Sequence, residues 1–299
     1  MSKFKVWAIS LIVVMVFVAP QLLEANEGAG TKGLIFLKIP NGTRETAMGE
    51  TGVSHSMGGA SSAWNPALAG EGVSSIEFQG FRWLFDGQGS FGGAKIRTSW
   101  GGLSAYYFQL GVDGFEARER PGGYSGTFTL RQVVVAVGGA YRLPANFTVG
   151  VTTKGYLEDI YGDREEGIGL FDAGLSWKSG DWSAGAMVAN TGLTEDGEDP
   201  LPTLARGGLT YSKKFGEYGL VSSLEGSYMQ KYDPTVHLGI EGNWSETLFI
   251  RAGLLSGNES YFYSCGLGVT YKGILADIAV TPASGEIGHI LRVGLGYRL

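Results

Sequence analysis

Ile290-Leu291-Arg292-Val293-Gly294-Leu295-Gly296-Tyr297-Arg298-Leu299 closes the chain with a strict period of two. Leu291, Val293, Leu295, Tyr297 and Leu299 fall on one face, and Arg292, Gly294, Gly296 and Arg298 on the other, because successive side chains of a strand point to opposite sides. The same split sets Tyr261, Tyr263, Cys265, Leu267, Val269 and Tyr271 against Ser264, Gly266, Gly268, Thr270 and Lys272. It recurs with Val236, Leu238, Ile240 and Trp244 against His237, Gly239, Glu241 and Asn243, and with Phe171, Ala173, Leu175 and Trp177 against Asp172, Gly174, Ser176 and Lys178. One apolar face and one polar face is what a sheet between two different media requires.

Working outward, the alternation predicts strands near 74–83, 90–98, 102–111, 126–142, 147–160, 167–178, 181–190, 203–213, 219–230, 234–244, 247–256, 260–271, 274–282 and 289–299. That is about fourteen, an even number, as single-chain bacterial barrels have. With a periplasmic N-terminus the odd connections are external, and those around 84–89, 112–125, 159–166, 191–202 and 283–288 are the long ones. The even connections, at Ser99 to Gly101, Leu143 to Asn146, Ser179-Gly180, Phe215 to Tyr218, Ser245-Glu246 and Gly273, are tight. Two odd ones, near 231–233 and 257–259, are short as well. Outer-membrane barrels alternate short periplasmic turns with longer external loops, whereas a soluble sandwich has no reason to. Aromatics near strand ends, at Trp83, Trp100, Tyr141, Trp177, Trp182, Tyr211, Trp244 and Tyr271, suit two interfacial girdles, although ordinary strand preference explains any one alone. Glycine pairs such as Gly138-Gly139 and Gly207-Gly208 fit bends and close strand approach. The expectation is an all-β chain: a single transmembrane antiparallel β-barrel over 74–299.

Composition agrees. The chain has 50 Gly, 14 Tyr, 15 Phe and 7 Trp but only 17 % charged residues, which is too aromatic and too weakly charged for disorder. A mean hydropathy of +0.04 argues against a helical membrane protein, because alternating strands average to neutral. Lys3 and Lys5, the apolar run Trp7 to Ala19 and Leu23-Glu24-Ala25 before Asn26 read as a signal peptide over 1–25. The run is shorter than the roughly 20 residues of a spanning helix. The lone Cys265 cannot close an intramolecular disulfide. The net charge of -6 becomes about -7 once Lys3, Lys5 and Glu24 leave, which argues against a nucleic-acid partner.

Residues 26–73 differ in kind. Thr43-Arg44-Glu45-Thr46-Ala47-Met48 reads as a short helix with Thr43 as cap and Gly49 as stop. In the small-residue stretch that follows, Trp64-Asn65-Pro66 forces a turn, and Ala67 to Ala69 begin one helical turn. This segment is expected to fold into the barrel as a hatch, built on Thr43, Arg44, Glu45, Met48, Gly49, Trp64, Asn65 and Pro66. The alternation directs Glu77, Lys95, Arg97, Lys154, Asp172, Lys178, Arg206, Glu225, His237, Glu241, Arg251, Asp277 and Arg292 to the lumen. There, mixed signs on facing walls would pair into a plug zone, or line a polar path gated by the hatch.

Phe36-Leu37-Lys38-Ile39, then Thr43 to Glu50, then Ser62-Ala63-Trp64-Asn65-Pro66-Ala67 resemble the opening of the PorV/PorQ family of outer-membrane proteins. Asn190-Thr191-Gly192, Leu201-Pro202 before Arg206-Gly207-Gly208, Arg251-Ala252-Gly253 and the stretch from Gly266 to Leu299 continue the resemblance over nearly all of the mature chain. Pro40-Asn41 stands where the family has a glycine after the FLKI stretch, and the glycine directly after the family's NPA is missing here. The resemblance implies a fold similar to the fatty-acid-transporter barrels, with fourteen strands and an N-terminal hatch. It also implies a role in type IX secretion, with secreted cargo proteins or other secretion components as partners and 112–125, 159–166 and 191–202 as contact loops. The alternatives are a hatch-gated transporter for a small hydrophobic compound and a structural barrel whose one partner is outer-membrane lipid.

Enzymatic and cofactor chemistry is not indicated. His55, His237 and His289 have no metal-ligand spacing with one another or with Cys265. The run Glu195-Asp196-Gly197-Glu198-Asp199 departs from a calcium loop and reads as a solvated external loop. His289 beside a strand serine lacks any GxSxG-type signature.

Overall fold

The computed structural model describes residues 33–117, 126–160, 162–192, 200–230, 232–256, 263–283 and 288–299, and the side chains among these except 115–117 and 128. The expected signal peptide and the acidic run at 195–199 lie outside the described residues. Fourteen antiparallel strands form one closed barrel: β1 (Ser75–Arg82), β2 (Gln88–Arg97), β3 (Gly101–Ala117), β4 (Gly126–Leu143), β5 (Phe147–Ile160), β6 (Asp163–Ser179), β7 (Trp182–Thr191), β8 (Leu204–Phe215), β9 (Tyr218–Met229), β10 (Thr235–Trp244), β11 (Leu248–Ser256), β12 (Tyr263–Tyr271), β13 (Ile274–Pro282) and β14 (His289–Arg298). β14 closes on β1 in register from Ser75↔Arg298 to Arg82↔Leu291. Closure leaves no ladder edge facing hydrocarbon, the condition under which strands can cross a membrane.

One end of the barrel carries tight turns set by left-handed residues, among them Ala145-Asn146, Ser245-Glu246 and Lys272-Gly273, the backbone that two-residue hairpins favour. At the other end β3 to β6 run 17, 18, 14 and 17 residues. Crossing takes about 9–11, so these four strands stand above the membrane. Two expected external loops are corrected accordingly: 159–160 belong to β5 and 163–166 to β6, and 112–117 belongs to β3.

The outer face is apolar at mid-height, with Leu267 56 %, Ile250 69 % and Val293 51 % exposed. Trp100, Tyr141, Trp182, Trp244 and Tyr271 are exposed at the tight-turn end, where an interfacial girdle belongs. Trp83 does not join it. It turns inward against Phe81 and the buried aromatic cluster. Among the described residues no helix is long and apolar enough to cross a membrane.

Residues 33–73 lie inside the barrel. They form a 3₁₀ turn (Ile35–Lys38), α1 (Thr43–Ala47), α2 (Ser61–Trp64) and a second 3₁₀ turn (Pro66–Gly70). Thr43 opens α1 rather than capping it. The cap position is Gly42, and the Thr43 hydroxyl donates to Gln79 Oε1 on β1 at 3.2 Å. The segment runs round the inner wall against lumen-facing glycines. Thr43 meets Gly294, Ala47 meets Gly266, Gly49 meets Gly253, Met48 meets Gly239, Val53 meets Gly208 and Gly185, Gly59 meets Gly93, Asn65 meets Gly174, Pro66 meets Gly150 and Ala69 meets Gly102. These contacts are largely backbone to backbone: a Cβ on Gly253 would stand 1.8 Å from Gly49 N, and one on Gly185 2.0 Å from Val53 O. The alternating glycines of the wall therefore serve chiefly to seat this inner segment, where the sequence suggested bends.

Gly253→Ala and Gly185→Ala should each force the inner segment off the wall at about 1–3 kcal/mol. Gly80→Ala, whose new methyl meets nothing within 4 Å, should be silent. The check is protease protection of 33–73 on heating, with barrel integrity followed by gel mobility. Protection equal to wild type in Gly253→Ala would refute the seating.

Candidate functional site

The inner segment is bound to the wall by buried charge as well as by shape. Arg44 on α1 forks onto Glu241 of β10, with Nε to Oε2 at 2.8 Å and Nη2 to Oε1 at 3.1 Å. Arg251 of β11 donates to the same Glu241 oxygen from Nε at 2.7 Å and to Asp277 Oδ1 of β13 from Nη1 at 2.5 Å. Paired forks of this kind hold planar carboxylates in place. Arg44 Nη1 also lies 3.1 Å from His55 Nδ1. A guanidinium only donates, so Nδ1 accepts, and Nε2 carries the proton and donates to Thr51 Oγ1 at 3.2 Å. Thr51 in turn donates to Met48 O at 2.9 Å.

Further round the wall, Glu225 of β9 accepts the N–H groups of Gly52 and Val53 at 2.6 and 2.8 Å. His237 of β10 donates from Nδ1 to Gly49 O at 2.9 Å. Arg206 of β8 donates to Glu50 O at 2.8 Å and lies 4.6 Å over the Trp64 ring. Lys95 of β2 donates to Leu68 O and Glu71 O at 3.2 and 3.1 Å. Asn65 bridges its own segment and the wall, its Nδ2 reaching Val53 O at 2.8 Å and Leu175 O at 3.0 Å. The lumen charges thus satisfy the inner segment's irregular backbone, as well as one another. Arg97 and Lys178 stand at the tight-turn rim, exposed, and have no part in this network.

Two spaces flank the segment. On the long-strand side, Phe36 packs with Trp64, Phe81, Phe91, Tyr106 and Phe108 in one buried cluster. Beside it lies a cavity of about 60 Å³ whose lining includes Phe36, Trp64, Tyr106, Phe108, Met187 and Ala189, with Lys38, Asn41, Lys154, Asn190 and Arg206 as its polar members. Lys154 is held by Asp172 Oδ1 at 2.7 Å and by Asn190 Oδ1 at 2.6 Å. Asn190 takes left-handed backbone at φ 57 where the β6–β7 register shifts, and its N–H donates to Asp172 at 2.8 Å. The Asn190-Thr191-Gly192 stretch is therefore a bulge in the wall beside the cavity, which is where bulges gather near working sites. Arg292 lies 4.7 Å over Phe81 and 5.3 Å over Trp83. On the tight-turn side opens a vestibule of about 530 Å³ that reaches Arg44, Glu45 and Glu77.

Sequence reasoning overlooked His55, Ser56, Gln79 and the seat glycines. Their signal was present only as glycine on the polar face of each strand, and nothing local says what would press against it.

Glu241→Ala should cost about 3–5 kcal/mol of docking, because it strands two buried guanidiniums, and Glu241→Gln should cost less; thermal loss of protease protection over 33–73 measures both. Burial and the Arg44 guanidinium push the His55 imidazole down to about 3, so docking favours its neutral form. That contribution is complete above the free-histidine value near 6.5 and fades as pH falls toward 3. Protection should weaken between pH 6.5 and 5 in wild type and not in His55→Gln, and a flat wild-type profile would contradict this.

No protein-family model matches the sequence, and no curated protein is similar to it in sequence. Solved structures do match. The Pseudomonas putida toluene transporter TodX superposes with a TM-score of 0.58 at 12 % identity, covering 86 % of this chain and 96 % of that one. The CymD monoaromatic hydrocarbon channel gives 0.58 at 11 %, covering 87 % and 98 %. A Pseudomonas aeruginosa FadL homologue gives 0.51 at 13 %, covering 87 % and 99 %. At such identity the likeness is one of fold: this chain has the architecture of a bacterial outer-membrane barrel similar to the FadL-like transporters.

Proposed function

We propose that the protein is an outer-membrane conduit for small hydrophobic compounds, with the inner segment as its gate. The aromatic chamber on the long-strand side carries this reading. Its walls are mainly aromatic and aliphatic, with Lys38, Asn41, Lys154, Asn190 and Arg206 as the polar residues among them, and such a balance is typical of small-molecule sites. The similar structures named above include a toluene transporter and a monoaromatic hydrocarbon channel, which supports the same class of cargo. An apolar cavity of about 150 Å³ admits benzene, so a space of about 60 Å³ holds no ring until Phe36 moves. Access is thereby tied to displacement of residues 34–39. The secretion role that the PorV/PorQ resemblance implies has no counterpart among the similar structures named above. Of the contact loops it would use, 118–125 and 193–199 lie outside the described residues.

The test is uptake of toluene and of a long-chain fatty acid by vesicles holding the purified protein. Wild type should admit the aromatic, Phe36→Ala should admit it several-fold faster, and Ala189→Trp, which fills the cavity, should slow it several-fold. Equal permeation of empty and loaded vesicles, with both variants inert, would overturn the reading.

A further inference from the structure

At the inner end of the vestibule two carboxyl groups meet too little positive charge. Glu45 is 1 % exposed. Its Oε1 accepts from Ser56 Oγ at 2.8 Å and lies 3.7 Å from Arg44 Nη1, while its buried Oε2 has no hydrogen-bond partner. Glu77 on β1 accepts the Ala60 N–H at 3.2 Å. Both carboxyls flank one turn: Glu45 Oε2 and the Ala60 methyl crowd the open side of Gly42, and Glu77 lies against Gly58 and Gly59.

The neighbouring cations make their hydrogen bonds elsewhere, Arg44 meeting Glu45 only at 3.7 Å. Arg44 forks onto Glu241, Arg251 bridges Glu241 and Asp277, and Lys95 points to the carbonyls of Leu68 and Glu71. Three cations thus face four carboxylates, and the deficit falls on Glu45 and Glu77. Arg292 stands farther out, paired in register with Phe81 where Glu77 pairs with Gly296. Burial holds the Glu45 carboxyl above the usual carboxylate range against the pull of Arg44. An ionised carboxylate without a partner at such depth costs several kcal/mol, and the vestibule of about 530 Å³ that reaches both groups leaves room for an ion with its water.

We propose that Glu45 and Glu77 seat a hydrated divalent cation, which pins α1 and the Gly58–Ala60 turn to β1 from the tight-turn side of the barrel. Among the described residues no three His, Cys, Asp or Glu side chains converge to cage a metal, so the ion keeps most of its water. Mg²⁺ is held in this way, through one or two carboxylates. The site is separate from the aromatic chamber and does not depend on what that chamber carries.

Calorimetric titration of MgCl₂ into the chelator-treated, detergent-solubilised protein at pH 7.5 tests it, with Glu77→Gln and Glu45→Gln as variants. Carboxylates of the external strands and loops are common to all three proteins, so the difference between wild type and variant is the readout. Wild type should bind one Mg²⁺ more per chain than either variant, and Mg²⁺ should raise protease protection of 33–73 in wild type alone. Gel mobility shows which variants keep the barrel, and either one suffices. Identical titrations would overturn the proposal. So would full competition by equimolar NaCl, or wild-type protein that binds no Mg²⁺ while the glutamine variants gain protection, the last outcome making a shared proton the partner.

Discussion

Backbone N–H and C=O groups at membrane depth have no water to turn to, and every feature of this molecule follows from where they find partners. The strands satisfy one another by closing β14 onto β1. Residues 33–73 pose the harder problem, because they are mostly irregular and lie in the same layer. Their solution is to press against the wall where it carries glycine, so closely that at Gly253 and Gly185 a single methyl group would collide with backbone. Wall side chains such as Glu225, Lys95 and His237 then supply the donors and acceptors that the segment's backbone lacks.

That seating also settles the charges. A lumen-facing carboxylate or guanidinium in a plugged barrel is cut off from bulk water, and an unpaired one is costly. Arg44 is the one cation that α1 contributes, and it docks where β10, β11 and β13 present Glu241, Arg251 and Asp277. The opposite arc, from Asn65 to Gly70, carries no charge of its own; it packs against β3 to β6 and accepts from wall cations, Lys95 at Leu68 O and Arg142 at Gly70 O. The inner segment thus meets the wall through ion pairs on one side and through close packing with cation-to-carbonyl bonds on the other.

The two faces of the plug are chemically unlike. Above it, aromatic rings and one bulge at Asn190 make an apolar chamber with a few anchored polar groups. Below it, a wider vestibule is lined by mixed charge.

Much of this was legible in the sequence. Strict alternation in 289–299 and its repeats determined strand number, facing and the tight even turns, because period two is a property of the single strand and needs no partner. The hatch segment stood out because Asn65-Pro66 and the Thr43 to Gly49 stretch break that period. The inward turn of Trp83, the start of β6 at Asp163 rather than near 167, and the role of the glycines were not legible. Trp83 turns inward because Phe81 and Arg292 await it, a contact made across β14. The tall hairpins exist because β3 to β6 pair with one another beyond the membrane, which local sequence rich in charge does not announce. Glycine on a polar face says only that space is needed. What fills it, at Gly253 the backbone of Gly49 two hundred residues earlier in the chain, is decided by closure of the barrel, since only closure brings ten separate strands around one segment.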